Sequence, residues 1–238
     1  MNAKLTLAAA ISIALPTTAL GADALVRAVH ASPDAPVVDI LVDDAIAFGA
    51  VPYTAASPYA ALPAPASYNI KVRPTGQPGP DVIDADVPVS ADTAYTVVAA
   101  NTLASIQPLV FIDDLSQVGD RARIRFIHAS PNAPAVNIVL AGTNTILFDT
   151  VSFTESGGYI EVPGGIYDLE VRLSSNNALA LSLPGLSFDN NFVYTAFAVG
   201  LVGSDSTPLS AVLAVDIPSP GVVSLFAAGG LVTLRRRR

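Results

Sequence analysis

The sequence predicts an all-β protein built from two tandem β-sandwich modules, at residues 25–113 and 122–216. Three observations support this prediction: a ten-residue motif occurs twice, short segments alternate between apolar and polar residues, and turn residues recur along the chain. The 19 prolines and 16 glycines disfavour long helices. A hydrophobic share of 51% with 13% charged residues excludes a disordered chain or a coiled coil, and the absence of cysteine excludes disulfides.

Residues 1–24 are predicted to form a secretory signal peptide. Lys4 supplies the positive start, and Leu5–Leu15 supplies an apolar run of the length that export signals use. Small residues then offer cleavage after Gly21 or after Ala24. The competing interpretation is a buried N-terminal helix of the fold. Export is preferred because the charge, the apolar run and the small residues follow one another in the order of a signal peptide.

The body of the chain is an internal duplication. The segment Arg27–Pro36 (RAVHASPDAP) returns as Arg125–Pro134 (RFIHASPNAP), and the two copies stay aligned downstream. Matching positions are Ile46 with Ile146, Tyr59 with Tyr159, Pro63 with Pro163, Tyr68 with Tyr167, Tyr95 with Tyr194, and Pro108-Leu109 with Pro208-Leu209. The offset between the two copies changes at points between these matches. Loops are expected there, because loops lack the strand pairing that holds register. Two copies of one module are therefore predicted.

Hydrophobic periodicity predicts the strands within each copy. Ser67–Arg73 and Ile166–Arg172 alternate strictly, which puts their large apolar residues on one face. Thr93–Ala100 and Phe192–Gly200 are apolar runs suited to central strands. Frequent turn residues between such short segments are typical of a sandwich. The polar segment 114–121 lies between the copies and is the predicted linker.

The C-terminal residues 217–238 form an apolar tail with a basic end. Ile217–Leu234 carries no charge, and four arginines, Arg235–Arg238, finish the chain. As a helix, Gly221–Leu234 would span about 21 Å, less than the hydrocarbon core of about 30 Å. Such a short apolar helix could insert only marginally, with the arginines on the cytoplasmic side and the modules on the other. An amphipathic or core segment is the alternative.

The tail resembles the PEP-CTERM sorting signal of bacteria that export proteins alongside extracellular polysaccharide. The resemblance rests on Pro218, Ser219 and Pro220, the short apolar span and the terminal arginines. It implies recognition and cleavage by an exosortase, after which the tail is gone. Ser219 stands where the common motif has Glu. A retained C-terminal membrane anchor is the competing interpretation.

The modules resemble the bacterial envelope family called domain of unknown function 4397. The resemblance rests on His30–Pro36 (HASPDAP), the following Val37–Ile40 and the Tyr-x-x-x-Val-Arg pattern of Tyr68–Arg73, and it covers both copies. It implies an immunoglobulin-like or transthyretin-like β-sandwich and an exported location. It transfers no catalytic residue.

Six residues of the duplicated motif form the candidate site. Each copy holds one of the two histidines of the chain, placed by alternation at the end of an inward-facing row and just before a Ser-Pro turn. These residues are His30, Ser32, Pro33, His128, Ser130 and Pro131. One hypothesis is a buried imidazole that bonds to the backbone or to the serine and orders the turn. The other is a histidine that faces a ligand, since sandwich loops commonly carry binding sites.

Arg27 and Asp39 are predicted to point outward from neighbouring strands. A cross-strand ion pair between them would contribute about 0.2–1 kcal/mol. The second copy has Arg125 with Asn137 at these positions, so the contact is expected to be dispensable.

Paired carboxylates raise the question of a metal or a catalytic site. They occur at Asp43-Asp44, Asp84-x-Asp86 and Asp113-Asp114. Calcium takes six to eight oxygen ligands, but no EF-hand spacing is present, and a solvated acidic surface is the alternative. The sequence also has no nucleophile elbow, zinc-protease motif, phosphate loop or dinucleotide fingerprint. No catalytic residue, metal or cofactor is therefore predicted.

These features predict an exported, non-catalytic protein with a structural or adhesive role at the cell surface or in the extracellular matrix. The expected partners are the export machinery, an exosortase-type enzyme and extracellular polysaccharide, with membrane contact through the tail only. The part from Asp23 to Asp216 holds all 20 acidic but only seven basic residues, a net charge of −13 that opposes nucleic-acid binding. One alternative is a carbohydrate-binding module, with Tyr53 and Tyr59 as the candidate stacking residues. The other is a hydrolase with two carboxylates in a deep cleft.

Overall fold

A computed structural model describes residues 22–216, and within them nearly all regular structure is β-strand. The predicted signal peptide up to residue 21 and the predicted tail at residues 217–238, with Pro218, Ser219 and Pro220, lie outside the described residues. Ala22, Asp23 and Ala24 are described, and Ala24 already begins the first strand. Among residues 22–216, no helix has the length and hydrophobicity needed to cross a membrane.

Module 1 consists of eight strands in two four-stranded sheets. The strands are β1 Ala24–His30, β2 Val38–Val42, β3 Ala45–Val51, β4 Ala60–Leu62, β5 Ala66–Pro74, β6 Ile83–Val89, β7 Ala94–Ala100 and β8 Gln107–Asp113. Sheet I has the order β4-β1-β7-β8, and sheet II has the order β3-β2-β5-β6. All pairs are antiparallel except β1 with β7, which is parallel.

Module 2 repeats this arrangement strand for strand. Its strands are β9 Arg121–His128, β10 Val136–Leu140, β11 Ile146–Val151, β12 Ser156–Pro163, β13 Gly165–Leu173, β14 Leu179–Phe188, β15 Val193–Val199 and β16 Ser210–Asp216. Sheet III has the order β12-β9-β15-β16, and sheet IV has the order β11-β10-β13-β14. The prediction of two all-β, sandwich-like modules is therefore confirmed for the described residues.

Strand periodicity places one core inside each module. In module 1, Ile70 and Val72 of β5 pack with Val26 and Val97 of sheet I. In module 2, Leu169 and Val171 of β13 pack in the same way with residues of sheet III. The apolar runs that were predicted to be central strands are β7 and β15, and each lies between two neighbours in its sheet.

The outer faces of sheets I and III form a third apolar cluster, which we call the central interface. It joins Val29, Ala31, Val98 and Ala100 of module 1 to Ile127, Ala129, Phe197 and Val199 of module 2, with Leu109, Phe111, Val212 and Ala214 from the edge strands. Val98, Ile127 and Phe197 are fully buried there. Sheets I and III are therefore buried on both faces, which is why the sequences of β7 and β15 are mostly apolar.

The predicted Arg27–Asp39 ion pair is wrong. Arg27 lies in sheet I and is buried, whereas Asp39 lies in sheet II, where β2 pairs with β3 and β5. The Asp39 carboxylate instead accepts hydrogen bonds from the Ala50 amide at 2.7 Å and the Thr75 hydroxyl at 2.9 Å. In module 2, the side-chain oxygen of Asn137 accepts the equivalent bond, at 2.7 Å from the Thr150 amide. Ala50 and Thr150 both have positive φ, so Asp39 and Asn137 each stabilise an irregular strand position.

The predicted match of Pro108-Leu109 with Pro208-Leu209 is also wrong in register. Gln107 pairs with Ala100 at the start of β8, and Ser210 pairs with Val199 at the start of β16. The connection before β8 therefore spans residues 101–106, whereas the equivalent connection in module 2 spans residues 200–209. The shorter one contains a single turn of 3₁₀ helix, Leu103–Ser105. The two modules thus differ in length at this end of the sandwich.

The predicted linker packs against module 2. Arg123 of β9 bonds to the Asp114 carboxylate at 2.8 Å, to the Ser116 hydroxyl at 2.8 Å and to the Glu161 carboxylate at 2.9 Å. The Asp114 side chain also accepts bonds from the amide and hydroxyl of Ser116. Several bonds therefore connect the segment between β8 and β9 to module 2.

Replacing Gly200 should destabilise the protein far more than replacing Gly203. Gly200 has φ +91°, and a Cβ there would lie 2.2 Å from the Pro208 carbonyl oxygen, whereas a Cβ at Gly203, with φ +78°, would meet nothing within 4 Å. We expect Gly203→Ala to lower the free energy of unfolding by about 1 kcal/mol, from backbone strain alone. Gly200→Ala should cost at least about 2 kcal/mol more, because it adds a backbone clash. Urea denaturation measures both, and equal losses would contradict the described path of this loop.

Candidate functional site

Two arginines at equivalent positions meet at the centre of the molecule. Arg27 of β1 and Arg125 of β9 open the two copies of the duplicated motif, and each is only 2% exposed. The strands that carry them place their neighbours Val26 and Phe126 in the module cores, so alternation directs both arginines into the central interface. We call the group that surrounds them the central charge cluster; its members are Arg27, Thr96, Asp113, Arg125, Thr195 and Asp216.

The ion pairs of the central charge cluster run between the modules. Arg27 of module 1 donates through Nη1 to both carboxylate oxygens of Asp216, at 3.1 and 2.9 Å. Arg125 of module 2 donates through Nη2 to Asp113 of module 1, and through Nη1 to the Ile112 carbonyl at 3.0 Å. Asp113 ends β8 and Asp216 ends β16. The contacts are therefore reciprocal, as in a symmetric dimer, although both halves belong to one chain.

Two threonines connect the two ion pairs. Thr96 accepts a 2.8 Å bond from Arg27 Nε and donates a 2.6 Å bond to Asp113. Thr195 accepts bonds from Arg27 at 3.4 Å and from Arg125 at 3.2 Å. Both threonines are fully buried, in the middle of the apolar strands β7 and β15. The whole cluster is thus one hydrogen-bonded network across the interface.

Two tyrosines complete the cluster. The Tyr59 ring lies 4.8 Å from the Arg27 guanidinium carbon, and the Tyr159 ring lies at the same distance from that of Arg125. Tyr59 donates a 2.7 Å hydrogen bond to Asp113. Burial raises the pKa of both tyrosines, and the Asp113 carboxylate adds to the rise at Tyr59. Both phenols therefore stay neutral and act as aromatic partners of a cation.

The residues that were considered for stacking on a carbohydrate are in the central interface. Tyr59 contacts Arg27 and Asp113, as described above. Tyr53 packs against the central interface and edge-on against the His30 ring, with ring centres 6.0 Å apart. Both tyrosines are thus half-buried against other side chains of the protein.

The electrostatics of the cluster depend on mutual pairing. It contains two cations and two carboxylates, so their charges balance. Burial raises the pKa of Asp216, while the charge of Arg27 opposes that rise. Removing four such groups from water costs several kcal/mol each, and only their pairing and hydrogen bonds offset this. The cluster therefore favours one relative orientation of the modules, the one in which each arginine meets the aspartate of the other module.

The six residues of the duplicated motif form two buried turns. His30 is fully buried, donates from Nε2 to the Pro36 carbonyl at 3.0 Å, and accepts at Nδ1 from the Ser32 amide at 3.3 Å. His128 makes the equivalent bonds to the Pro134 carbonyl at 3.2 Å and from the Ser130 amide at 3.4 Å. Each histidine thus joins both ends of its turn, with Pro33 or Pro131 in the turn itself. These bonds use both nitrogens of each neutral imidazole.

The turns also support the neighbouring loops. Asp34 accepts a 2.6 Å bond from the Leu103 amide, and Asn132 exchanges two bonds with the backbone of Val202. The Ser130 hydroxyl donates to the Gly200 carbonyl at 2.7 Å, whereas the buried Ser32 hydroxyl has no hydrogen-bond partner within residues 22–216. The motif therefore positions the connections 101–106 and 200–209 at one end of each module.

The paired carboxylates occupy different environments. Asp43 and Asp44 form a two-residue hairpin turn, and Asp44 pairs with Lys71 at 2.6 Å on the surface. Asp84 and Asp86 accept bonds from the Asn69 amide group. Within residues 22–216, no three histidine or carboxylate side chains converge as a metal site requires.

The central charge cluster was missed by sequence reasoning, although signals for it exist. The arginine lies three residues before the histidine in both copies, and a threonine interrupts both apolar runs, in AYTVVAA and VYTAFAV. A charged residue kept at equivalent places beside apolar neighbours could have indicated a buried pair. The partner carboxylates, however, come from the ends of other strands, 189 positions away for Arg27 and 12 positions away across the linker for Arg125.

Comparison with known proteins identifies a family for both copies. A family model described as "Domain of unknown function (DUF4397)" matches residues 24–139 and 122–224. No curated protein matches the chain. A crystal structure described as "a putative cell adhesion protein" from Bacteroides eggerthii is similar at 9% identity and a TM-score of 0.23, over 83% of this chain and 96% of that one. A likeness at that TM-score carries no argument about this chain.

Truncating Arg125 should destabilise the protein strongly. Arg125→Ala leaves the Asp113 carboxylate buried without its cation, and we expect a loss of about 3–5 kcal/mol in the free energy of unfolding. The control is Lys71→Ala, which removes a surface ion pair whose Asp44 side chain is 75% exposed; its cost should be far smaller, because solvent screens such a pair. The double variant Arg125→Met/Asp113→Leu should recover part of the loss, because it leaves neither charge unpaired. Similar costs for Arg125→Ala and Lys71→Ala would disprove the role assigned to the cluster.

Acidification should destabilise the fold through the two histidines. Burial lowers the pKa of His30 and His128 below the ordinary value of 6.5, although the bonds to the Pro36 and Pro134 carbonyls oppose the shift. Since the unfolded chain takes up these protons near pH 6.5 and the native state only at lower pH, this contribution to stability is complete above pH 6.5 and is lost as the pH falls.

The imidazole C2 protons of the two histidines give separate NMR titrations, and both should have midpoints below 6.5. The free energy of unfolding should decrease over the same pH range. A midpoint at or above 6.5 for either histidine would contradict its buried, neutral state.

Proposed function

The chain belongs to the family of unknown function DUF4397, which matches it twice, and from this premise we propose that it is an exported, non-catalytic protein with a structural or adhesive role. Its place is the cell surface or the extracellular matrix. The observation that carries the proposal is the central charge cluster, in which each module supplies the arginine that pairs with an aspartate of the other. Such pairing makes two modules into one stiff unit, which suits a load-bearing or display role.

The hydrogen bonds and ion pairs of the histidines and aspartates support a structural role. The buried histidines bond within their own turns, and the buried Asp113 and the half-buried Asp216 are each paired with an arginine. A general acid or base must instead reach a substrate. Asp113 and Asp216 are therefore best explained as parts of an interface, and not as the pair of a hydrolase.

The order of the strands supports a transthyretin-like sandwich over an immunoglobulin-like one. An immunoglobulin constant-type domain has seven strands, four in one sheet and three in the other. Each module here has eight strands in two sheets of four, and its first strand lies between the fourth and the seventh. We infer that the family shares this arrangement.

Export is proposed from the two ends of the chain. The N-terminal segment with its apolar run Leu5–Leu15 acts as a signal peptide, and residues 217–238 act as a PEP-CTERM-like sorting tail that an exosortase-type enzyme cuts. Because Ala24 is the first residue of β1 and is fully buried, cleavage after Gly21 leaves the strand whole, whereas cleavage after Ala24 removes its first residue. We therefore propose Gly21 as the cleavage position. Extracellular polysaccharide is the proposed partner of the mature protein.

Intact-mass analysis of protein from the native cell surface and medium tests the sorting proposal. We expect a mass that lacks residues 1–21 and ends close to Pro218. Full-length protein recovered from the cytoplasm would contradict export, and a mature form that keeps residues 217–238 would identify a retained anchor.

A deletion strain tests the role itself. Loss of the protein should weaken surface adhesion or matrix cohesion, and the wild-type gene should restore it. A gene lacking the codons for residues 217–238 serves as the control and should not restore it. Unchanged adhesion and cohesion in the deletion strain would rule out the proposed role.

A further inference from the structure

An apolar cavity of about 290 Å³ lies in module 2, beside His128 at the end of the sandwich. Its lining comes from both sheets of the module and from the loop 200–209, and it includes Val171, Leu181 and Ala198. The equivalent residues of module 1, Val72, Ile83 and Ala99, border a smaller void of about 20 Å³, which is lined otherwise by core residues such as Ile40, Ile70 and Val97.

Two local features of module 2 form part of the cavity wall. The first is the connection before the last strand: in module 1 Ile106 packs against the core, whereas in module 2 the longer loop 200–209 places Leu209 on the cavity wall. The second is the start of β14, where the register against β13 shifts between the pairs Val171–Leu181 and Arg172–Leu179, and the intervening Ala180 lines the cavity.

The chemistry of the lining is uncharged and mostly aliphatic. Its polar side chains are His128, Ser130 and Ser210. Both nitrogens of His128 are bonded to the backbone of its turn, and the Ser130 hydroxyl bonds to the Gly200 carbonyl. Leu179 and Val202 line the cavity yet are 58% and 48% exposed, so they mark its mouth. Water needs two to four polar partners to stay in a cavity, and this lining offers few.

We propose that this cavity binds one uncharged aliphatic chain of medium length. Aliphatic walls without a charged side chain favour an alkyl chain over a sugar, a nucleotide or an ion. A cavity of about 150 Å³ accepts benzene, so a space about twice as large suits a chain of roughly eight carbons. The chain enters between Leu179 and Val202, and its polar end stays at the mouth in contact with water.

Calorimetric titration of the full-length protein with 1-octanol tests the proposal. The wild type should bind one equivalent in a saturable manner. Ala180→Phe, which fills the cavity, should weaken binding at least tenfold. The matched control is Ala178→Phe, the same change at an exposed position two residues away, and it should bind like the wild type. A lack of saturable binding by the wild type, or equal binding by Ala180→Phe, would overturn the proposal.

A second variant tests the proposal without filling the interior of the module. Val202→Trp narrows the mouth from an exposed position, so it should fold even if Ala180→Phe does not, and it should also weaken octanol binding. Unchanged octanol affinity in a folded Val202→Trp variant would overturn the proposed entrance.

The aliphatic chain could belong to a membrane lipid or to a free ligand, and sedimentation with phosphatidylcholine vesicles distinguishes these two sources. Vesicle binding that Val202→Trp abolishes indicates a lipid acyl chain, whereas octanol binding without vesicle binding indicates a free ligand.

Discussion

Reciprocal pairing of buried arginines and aspartates between the modules is the constraint on which the arrangement of this molecule depends. Arg27 and Arg125 lose their contact with water on folding. Each pairs with an aspartate of the other module, Arg27 with Asp216 and Arg125 with Asp113. A guanidinium buried without a partner is strongly destabilising. The orientation of the modules is therefore specified by electrostatics, while the apolar part of the central interface supplies the attraction between them. Neither contribution alone would select this arrangement.

The two copies agree at the central interface and differ in one connection. Both copies have the arginine, the threonine, the tyrosine and the terminal aspartate of the interface, and each of these groups contacts a network shared by both modules. The connections 101–106 and 200–209 differ in length, and the longer one contributes to the wall of the aliphatic cavity in module 2.

This arrangement suits a protein in which one set of residues forms the scaffold and another set contacts other molecules. The polar groups most deeply buried in the described residues act on each other: the histidines hold their turns, and the charge cluster holds the modules together. The proposed structural or adhesive role requires this stiffness, because loops can act over a fixed distance only when the modules that carry them do not rotate. The cavity adds a candidate for chemical recognition at one end.

Local patterns in the sequence were enough to predict the modules and their strands. The duplicated motif identified two copies, and period-two alternation identified β5 and β13 with their inward faces, because both signals arise within a few residues. Family membership could be inferred in the same way. The mistakes arose where a prediction needed to know which strands are neighbours. Asp39 was assigned to Arg27 because the two strands follow each other in the chain, yet β1 and β2 lie in different sheets.

What only the tertiary structure decided is the use of the outer faces of sheets I and III. Alternation cannot distinguish a face that meets water from a face that meets a second module, since it reports only that two faces exist. The ion pairs join residues 189 and 12 positions apart, from strand ends that no local pattern connects. The cavity likewise depends on the loop 200–209 and on a register shift at Ala180, and no local pattern reports either. The sequence therefore determined the elements and their repetition, while long-range packing decided which of them touch.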